Sequence, residues 1–126
     1  MLATVFAAAA LLQHGSCQSG GPDRSRTAAE AAQAYVQGLA ARDPGPIRWV
    51  TRPGALWRSS SGTITDAEFY DRLQSSELPN QYPVTTGMIG TARQVAIATR
   101  LRGVEGSETL TVLTIEDGCI VNVQLF

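Results

Sequence analysis

The chain has 126 residues, 44% hydrophobic and 17% charged, which is enough for one core and one domain. Its formal net charge is -1, every basic residue is an arginine, and no basic run occurs, so binding to nucleic acid through clustered positive charge is not expected. The lack of lysine removes Schiff-base and P-loop lysine chemistry.

Ala3 to Leu12 is a short apolar run, followed by small residues at Gly15-Ser16-Cys17 and polar Gln18-Ser19-Gly20-Gly21-Pro22. That order predicts a secretory signal and linker over 1–25 and a domain over 26–126, in a secreted or periplasmic protein. The run is too short to span a bilayer. No Lys or Arg precedes it, so an ordinary extension is the alternative. Gly15-Ser16-Cys17 also fits part of a lipobox, with His14 where Leu is expected; lipidation of Cys17 is the second alternative. Cys17 and Cys119 are the only cysteines. A disulfide between them is open but not indicated by the spacing, and Cys119 reads as a small buried hydrophobe.

Thr27 and Glu30 form a capping box ahead of an Ala-rich helix ending near Arg42. Ala28, Ala32, Tyr35, Val36 and Leu39 fall on its apolar side. Asp43-Pro44 restarts the chain as a second, very short helix carrying Trp49, which Arg52-Pro53-Gly54 ends. Ala55 to Ile64 predicts two short extended pieces around a Ser59–Gly62 turn. Thr65 to Glu68 is another capping box, and the helix it starts has Phe69, Tyr70 and Leu73 inside, with Asp71, Arg72 and Gln74 outside. After a proline-bearing connector, strands are expected at Val84–Thr91 and Gln94–Arg102. In the latter, Val95, Ile97, Thr99 and Leu101 share a face.

Thr109 to Phe126 is the clearest stretch. Two apolar-rich runs flank Asp117-Gly118, a strong hairpin signal. A regular ladder would pair Glu116 with Cys119, Thr114 with Val121, Val112 with Val123 and Leu110 with Leu125. It would turn Leu110, Val112, Thr114, Val121, Val123 and Leu125 toward the core.

The order of helix, short helix, strand, helix and long sheet resembles the SnoaL-like and nuclear transport factor 2-like superfamily, which includes ketosteroid isomerases. The residues carrying the resemblance are the run from Ala34 to Asp43, Trp49-Val50, Ala55-Leu56-Trp57, Phe69-Tyr70 and the hairpin Glu116 to Val121. The resemblance covers Thr27 to Phe126. It implies an α+β cone: a curved antiparallel sheet wrapped around three N-terminal helices, with a pocket at the wide end. It also implies a homodimer through the outer sheet face, where Leu113, Ile115, Ile120 and Phe126 would lie.

The only histidine is His14, inside the expected signal, which removes histidine triads and histidine-ligated metals from the mature chain. No cofactor is expected. Asp43, Asp66 and Glu68 sit at helix starts, where capping explains them. The resemblance to ketosteroid isomerases places their oxyanion-donating tyrosine at Tyr35 and their catalytic base near Ser59. It places their second, acidic donor at Val112, or at Thr111 if the register differs by one. Tyr35 therefore stays as a weak catalytic candidate, while both carboxyls are missing, and proton abstraction beside a carbonyl lacks its base. The expected pocket is Tyr35, Leu39, Trp57, Ser59, Tyr70, Val112 and Val123, an apolar hollow for a small hydrophobic molecule. The reading is an exported, non-catalytic binding domain. An isomerase or dehydratase acting on a hydrophobic small molecule and a cell-envelope interaction module are the alternatives.

Overall fold

The computed structural model describes residues 16–19, 25–75 and 83–126. A short 3-10 turn at Cys17–Ser19 precedes α1 (Ala28–Ala41), α2 (Pro44–Trp49), β1 (Thr51–Ser59), β2 (Gly62–Thr65) and α3 (Asp66–Ser75). Then come β3 (Pro83–Gly90), β4 (Gln94–Leu101), β5 (Thr109–Glu116) and β6 (Cys119–Leu125). The strands form one curved, unclosed sheet in the order β2-β1-β6-β5-β4-β3, with the helices on its inner face. No helix among the described residues is long and apolar enough to cross a membrane.

The helix boundaries follow the capping chemistry. The Glu30 N–H donates to Thr27 Oγ1 at 3.1 Å, and the Thr27 N–H donates to Glu30 Oε1 at 3.4 Å. Arg42 ends α1 in the left-handed region at φ 52. Asp43 then caps α2 by accepting the Gly45 N–H at 2.9 Å, with Pro44 in the first turn. Gly38 lets the two helices close on each other: a Cβ there would sit 2.5 Å from Ile47 Cγ1. At α3, Thr65 Oγ1 accepts the Glu68 N–H at 3.3 Å.

Two departures of the sheet from the expected pattern bear on the site. β1 runs parallel to β6, whereas the other neighbours are antiparallel. These two strands are far apart in sequence, so no turn residue announces their pairing. The second departure is in the closing hairpin. Its turn is as expected, with Asp117 at φ 50 and Gly118 at φ 77, and Glu116 faces Cys119. One residue later the ladder slips. Ile115 pairs with Ile120, but Thr114 pairs with Asn122 and Leu113 with Val123, so Val121 is the extra residue of a bulge.

A one-residue slip moves side chains to the opposite face. Beyond the bulge, Val123 and Leu125 therefore come to share a face with Thr111, Leu113 and Ile115, and that is the core face; Val112 does not lie on it, which corrects its assignment to the pocket. Leu110 is exposed and Thr114 only half-buried, so the expected core face of β5 is the outer one. Leu113, Ile115 and Ile120 are buried rather than on the dimer face; Phe126 remains outside, 71% exposed. In β4 the alternation holds, with Val95, Ile97 and Thr99 buried.

The cysteines are not independent. Cys17 and Cys119 form a disulfide with S–S 1.99 Å and Cα–Cα 5.9 Å. Cys119 is buried as expected, but as half of that bond. Gln18 Nε2 donates to Arg48 O at 2.7 Å and Thr51 O at 3.0 Å, fastening the turn beside α2 and β1.

Candidate functional site

An aromatic cluster occupies the inside of the sheet. β1 directs Trp57 inward and α1 presents Tyr35; each is 1% exposed. Trp57 Nε1–H donates to Tyr35 Oη at 3.4 Å. Phe69 of α3 stacks on Trp57 with ring centroids 4.4 Å apart, and Tyr70 meets Trp57 edge-on at 5.9 Å. The Arg48 guanidinium lies over the Tyr70 ring at 4.8 Å. The hollow expected around Tyr35 is thus filled by the rings that were to line it.

Burial pushes the Tyr35 hydroxyl up to about 12; the Trp57 hydrogen bond opposes the shift and nearby Tyr70 adds to it. Burial likewise raises Tyr70. Among the described residues Tyr70 Oη has no hydrogen-bond partner. Thr51 lies close enough to oppose that shift, but outside hydrogen-bond geometry, and its own hydroxyl donates to Ile47 O at 2.6 Å.

Tyr35 keeps its proton in the folded state at pH values where the unfolded chain, with an ordinary tyrosine value of 10.0, has lost it. Its contribution to stability is full below that value and is lost as pH rises through about 12. Across that window the wild type should lose about 3 kcal/mol more than Tyr35→Phe, which keeps only the Tyr70 contribution. Alkaline denaturant titrations of the two proteins, followed by tyrosinate absorbance, measure the difference. A Tyr35 that ionises near its ordinary value in the folded protein contradicts the packed placement.

A recess of about 200 Å3 opens beside this cluster, between the β1–β2 hairpin, α3 and the end of β6. Trp57, Ile64 and Leu125 give it apolar walls, and Ser59, Thr63 and Arg72 stand among the residues around it. Ser59 Oγ lies 2.9 Å from Ser61 Oγ and accepts the Ser61 N–H at 3.3 Å, which holds the turn. Among the described residues the Arg72 side chain has no hydrogen bond or ion pair. A larger, open groove of about 780 Å3 lies at the β3–β4 and β5–β6 turns, lined by Arg93, Glu116 and Asp117 and by none of the expected site residues.

Of the expected pocket residues, Trp57 and Ser59 reach the recess. Tyr35, Tyr70 and Val123 are core residues, and Leu39 is half-buried against the core. Val112 lies on the far side of the sheet, so Thr111 takes the inward position on β5. Neither Ser59 nor Thr111 is a carboxylic acid, and no group of three His, Cys, Asp or Glu among the described residues is placed to hold a metal. Arg72 was missed because it was assigned to the outer side of α3. It follows Phe69 by three positions, a spacing that borders the inner face.

No protein-family model and no curated protein sequence matches this chain. Solved structures do. A nuclear transport factor 2-like protein of unknown function from Cytophaga hutchinsonii superposes with TM-score 0.67 at 10% identity, over 80% of this chain and 89% of that one. The chain has the nuclear transport factor 2-like fold. A candidate ketosteroid isomerase from Kribbella flavida has this fold at TM-score 0.65 and 19% identity, over 83% of this chain and 78% of that one. TerC, co-crystallised with polyporic acid, matches at TM-score 0.60 and 17% identity, over 77% and 88%. At these identities the likeness establishes the nuclear transport factor 2-like architecture, while activity rests on the side chains.

Proposed function

We propose that the protein is an exported, non-catalytic domain that binds a small, mainly hydrophobic molecule carrying an acid group. The observation behind this reading is the pairing of apolar walls with a guanidinium that has no partner among the described residues, next to a ring cluster with no carboxylate among them. Trp57, Ile64 and Leu125 would bury the apolar part; Arg72 would meet the acid with a charge-assisted bond. The volume lies below the ~300–1,000 Å3 common for larger ligands, so the buried portion is about one ring. Proton abstraction is not part of the reading, because the positions of the isomerase carboxyls hold Ser59 and Thr111. TerC, a protein of the same fold, was co-crystallised with polyporic acid.

The test is a thermal-shift screen of aromatic acids against their uncharged amides. A ligand at about 100 times its Kd stabilises the folded state by ~2.7 kcal/mol. Acids should raise the melting temperature, amides should not, and Arg72→Ala should weaken acid binding by roughly ten- to a hundredfold. Equal shifts with acid and amide, or an unaffected Arg72→Ala, contradict the site.

Export is supported by the apolar N-terminal run and by a disulfide, a bond kept mainly in oxidising compartments. A homodimer is supported by the outer sheet face. Ile89, Ala96 and Val112 form a continuous row there, flanked by Ala98, Leu110 and Phe126. Ile89 is 78% exposed in the single chain. Analytical ultracentrifugation should find a dimer that Ile89→Lys converts to monomer; a monomeric wild type contradicts this use of the face.

A further inference from the structure

The sulfur of Cys17 has two fates open to it in an exported chain, a lipid thioether or a disulfide, and it can take only one. We propose that Cys17 is a structural disulfide cysteine of the mature protein: the leader is cut upstream of Ser16, and Cys17 carries no lipid. The proposal rests on the export reading and adds where processing must stop.

Three observations support it. Cys17 Sγ is bonded to Cys119, and both residues are fully buried, so there is no outlet for an acyl chain at that sulfur. The contacts extend on both sides of the cysteine. The Gln18 N–H donates to Ser16 Oγ at 3.1 Å, and the Gln18 side chain is held by Arg48 O and Thr51 O. Third, the surrounding chemistry suits oxidation. Arg26 Nη1 lies 3.0 Å from Cys17 Sγ and donates to Gly118 O at 3.2 Å. A guanidinium at that distance favours the thiolate, which is the attacking species in disulfide exchange.

The step balances with a disulfide donor as oxidant. The Cys17 thiolate attacks the donor's disulfide and forms a mixed disulfide. The Cys119 thiolate then attacks Cys17 Sγ, and the donor leaves as a dithiol carrying the two electrons and two protons removed from this chain. A cut after Cys17 would leave Cys119 a buried, unpaired thiol and would release the turn from α2 and β1.

The test uses the full chain with its own N-terminal segment, expressed in a Gram-negative host and recovered from membrane, periplasm and medium. Free thiols are alkylated, and the protein is mapped without reduction. The expected product is soluble, retains Ser16, carries no lipid mass, and yields one peptide pair linked through Cys17 and Cys119. An N-terminal lipidated Cys17, an N-terminus beyond Cys17, or alkylation of both cysteines overturns the proposal. A second sample, purified reduced from the cytoplasm and oxidised with glutathione disulfide, should close the same bond and gain about 10 °C or more in melting temperature. Closure in that sample with free thiols in the cell assigns the failure to the export reading. No closure in either assigns it to the pairing.

Discussion

Replacing Cys17 and Cys119 together by alanine should lower the unfolding free energy by about 3–5 kcal/mol. The bond closes a loop with a sequence separation of 102, and chain-entropy treatment gives ~4.7 kcal/mol for a loop of about that length. A domain of this size commonly has only ~5–15 kcal/mol in total, so the variant should be near the edge of folding at body temperature. The bond joins the N-terminal turn to the start of β6, so its loss should also free Gln18 from Arg48 and Thr51. Urea titrations of the oxidised wild type and the double variant measure the cost. A difference under about 1 kcal/mol would mean that the two cysteines are not paired in the folded protein.

Trp57→Ala should be nearly as costly, at about 3–5 kcal/mol, through a cavity in the ring cluster. Trp57 is 1% exposed, stacks on Phe69 at 4.4 Å and donates its indole N–H to Tyr35. Trp57→Phe keeps most of the packing and loses the hydrogen bond, so it should cost less, by about 1–2 kcal/mol relative to wild type. The contrast separates two views of the cone. If the rings fill it, alanine leaves a hole. If Trp57 only lines a hollow, alanine enlarges an existing space and costs little. Denaturant titration of the two variants decides between them, and a cost under about 1 kcal/mol for Trp57→Ala would falsify the filled interior.

Much of the architecture was legible because it is written locally. The Thr27–Glu30 box, Asp43-Pro44, the Thr65–Glu68 box and Asp117-Gly118 each fix a boundary through bonds within a few residues. What escaped was set at longer range. The Val121 bulge has no residue type that marks it, yet it brings Val123 onto the same face as Leu113, so the core face of β5 is the one carrying Leu113 and Ile115 and not the one carrying Val112. The parallel β1–β6 pair and the Cys17–Cys119 bond join segments with no sequence neighbourhood in common. For the site, Trp57 and Ser59 could be placed because β1 was recognised. Tyr35 was given the correct face of α1, but whether a ring lines a space or fills it depends on its neighbours. Arg72 sits where α3 turns from its inner to its outer side, and a two-sided reading of a helix loses such edges.

The two tryptophans allow one direct measurement of the central claim. Trp57 bounds the recess, while Trp49 is half-exposed on α2 and is not among the residues lining it. In a 1H–15N spectrum their indole cross-peaks report separately. Titration with the aromatic acids should move the Trp57 indole peak and leave that of Trp49 in place, and Arg72→Ala should abolish the movement. Acids that shift only Trp49, or that still move Trp57 equally without Arg72, would contradict a ligand site at this recess.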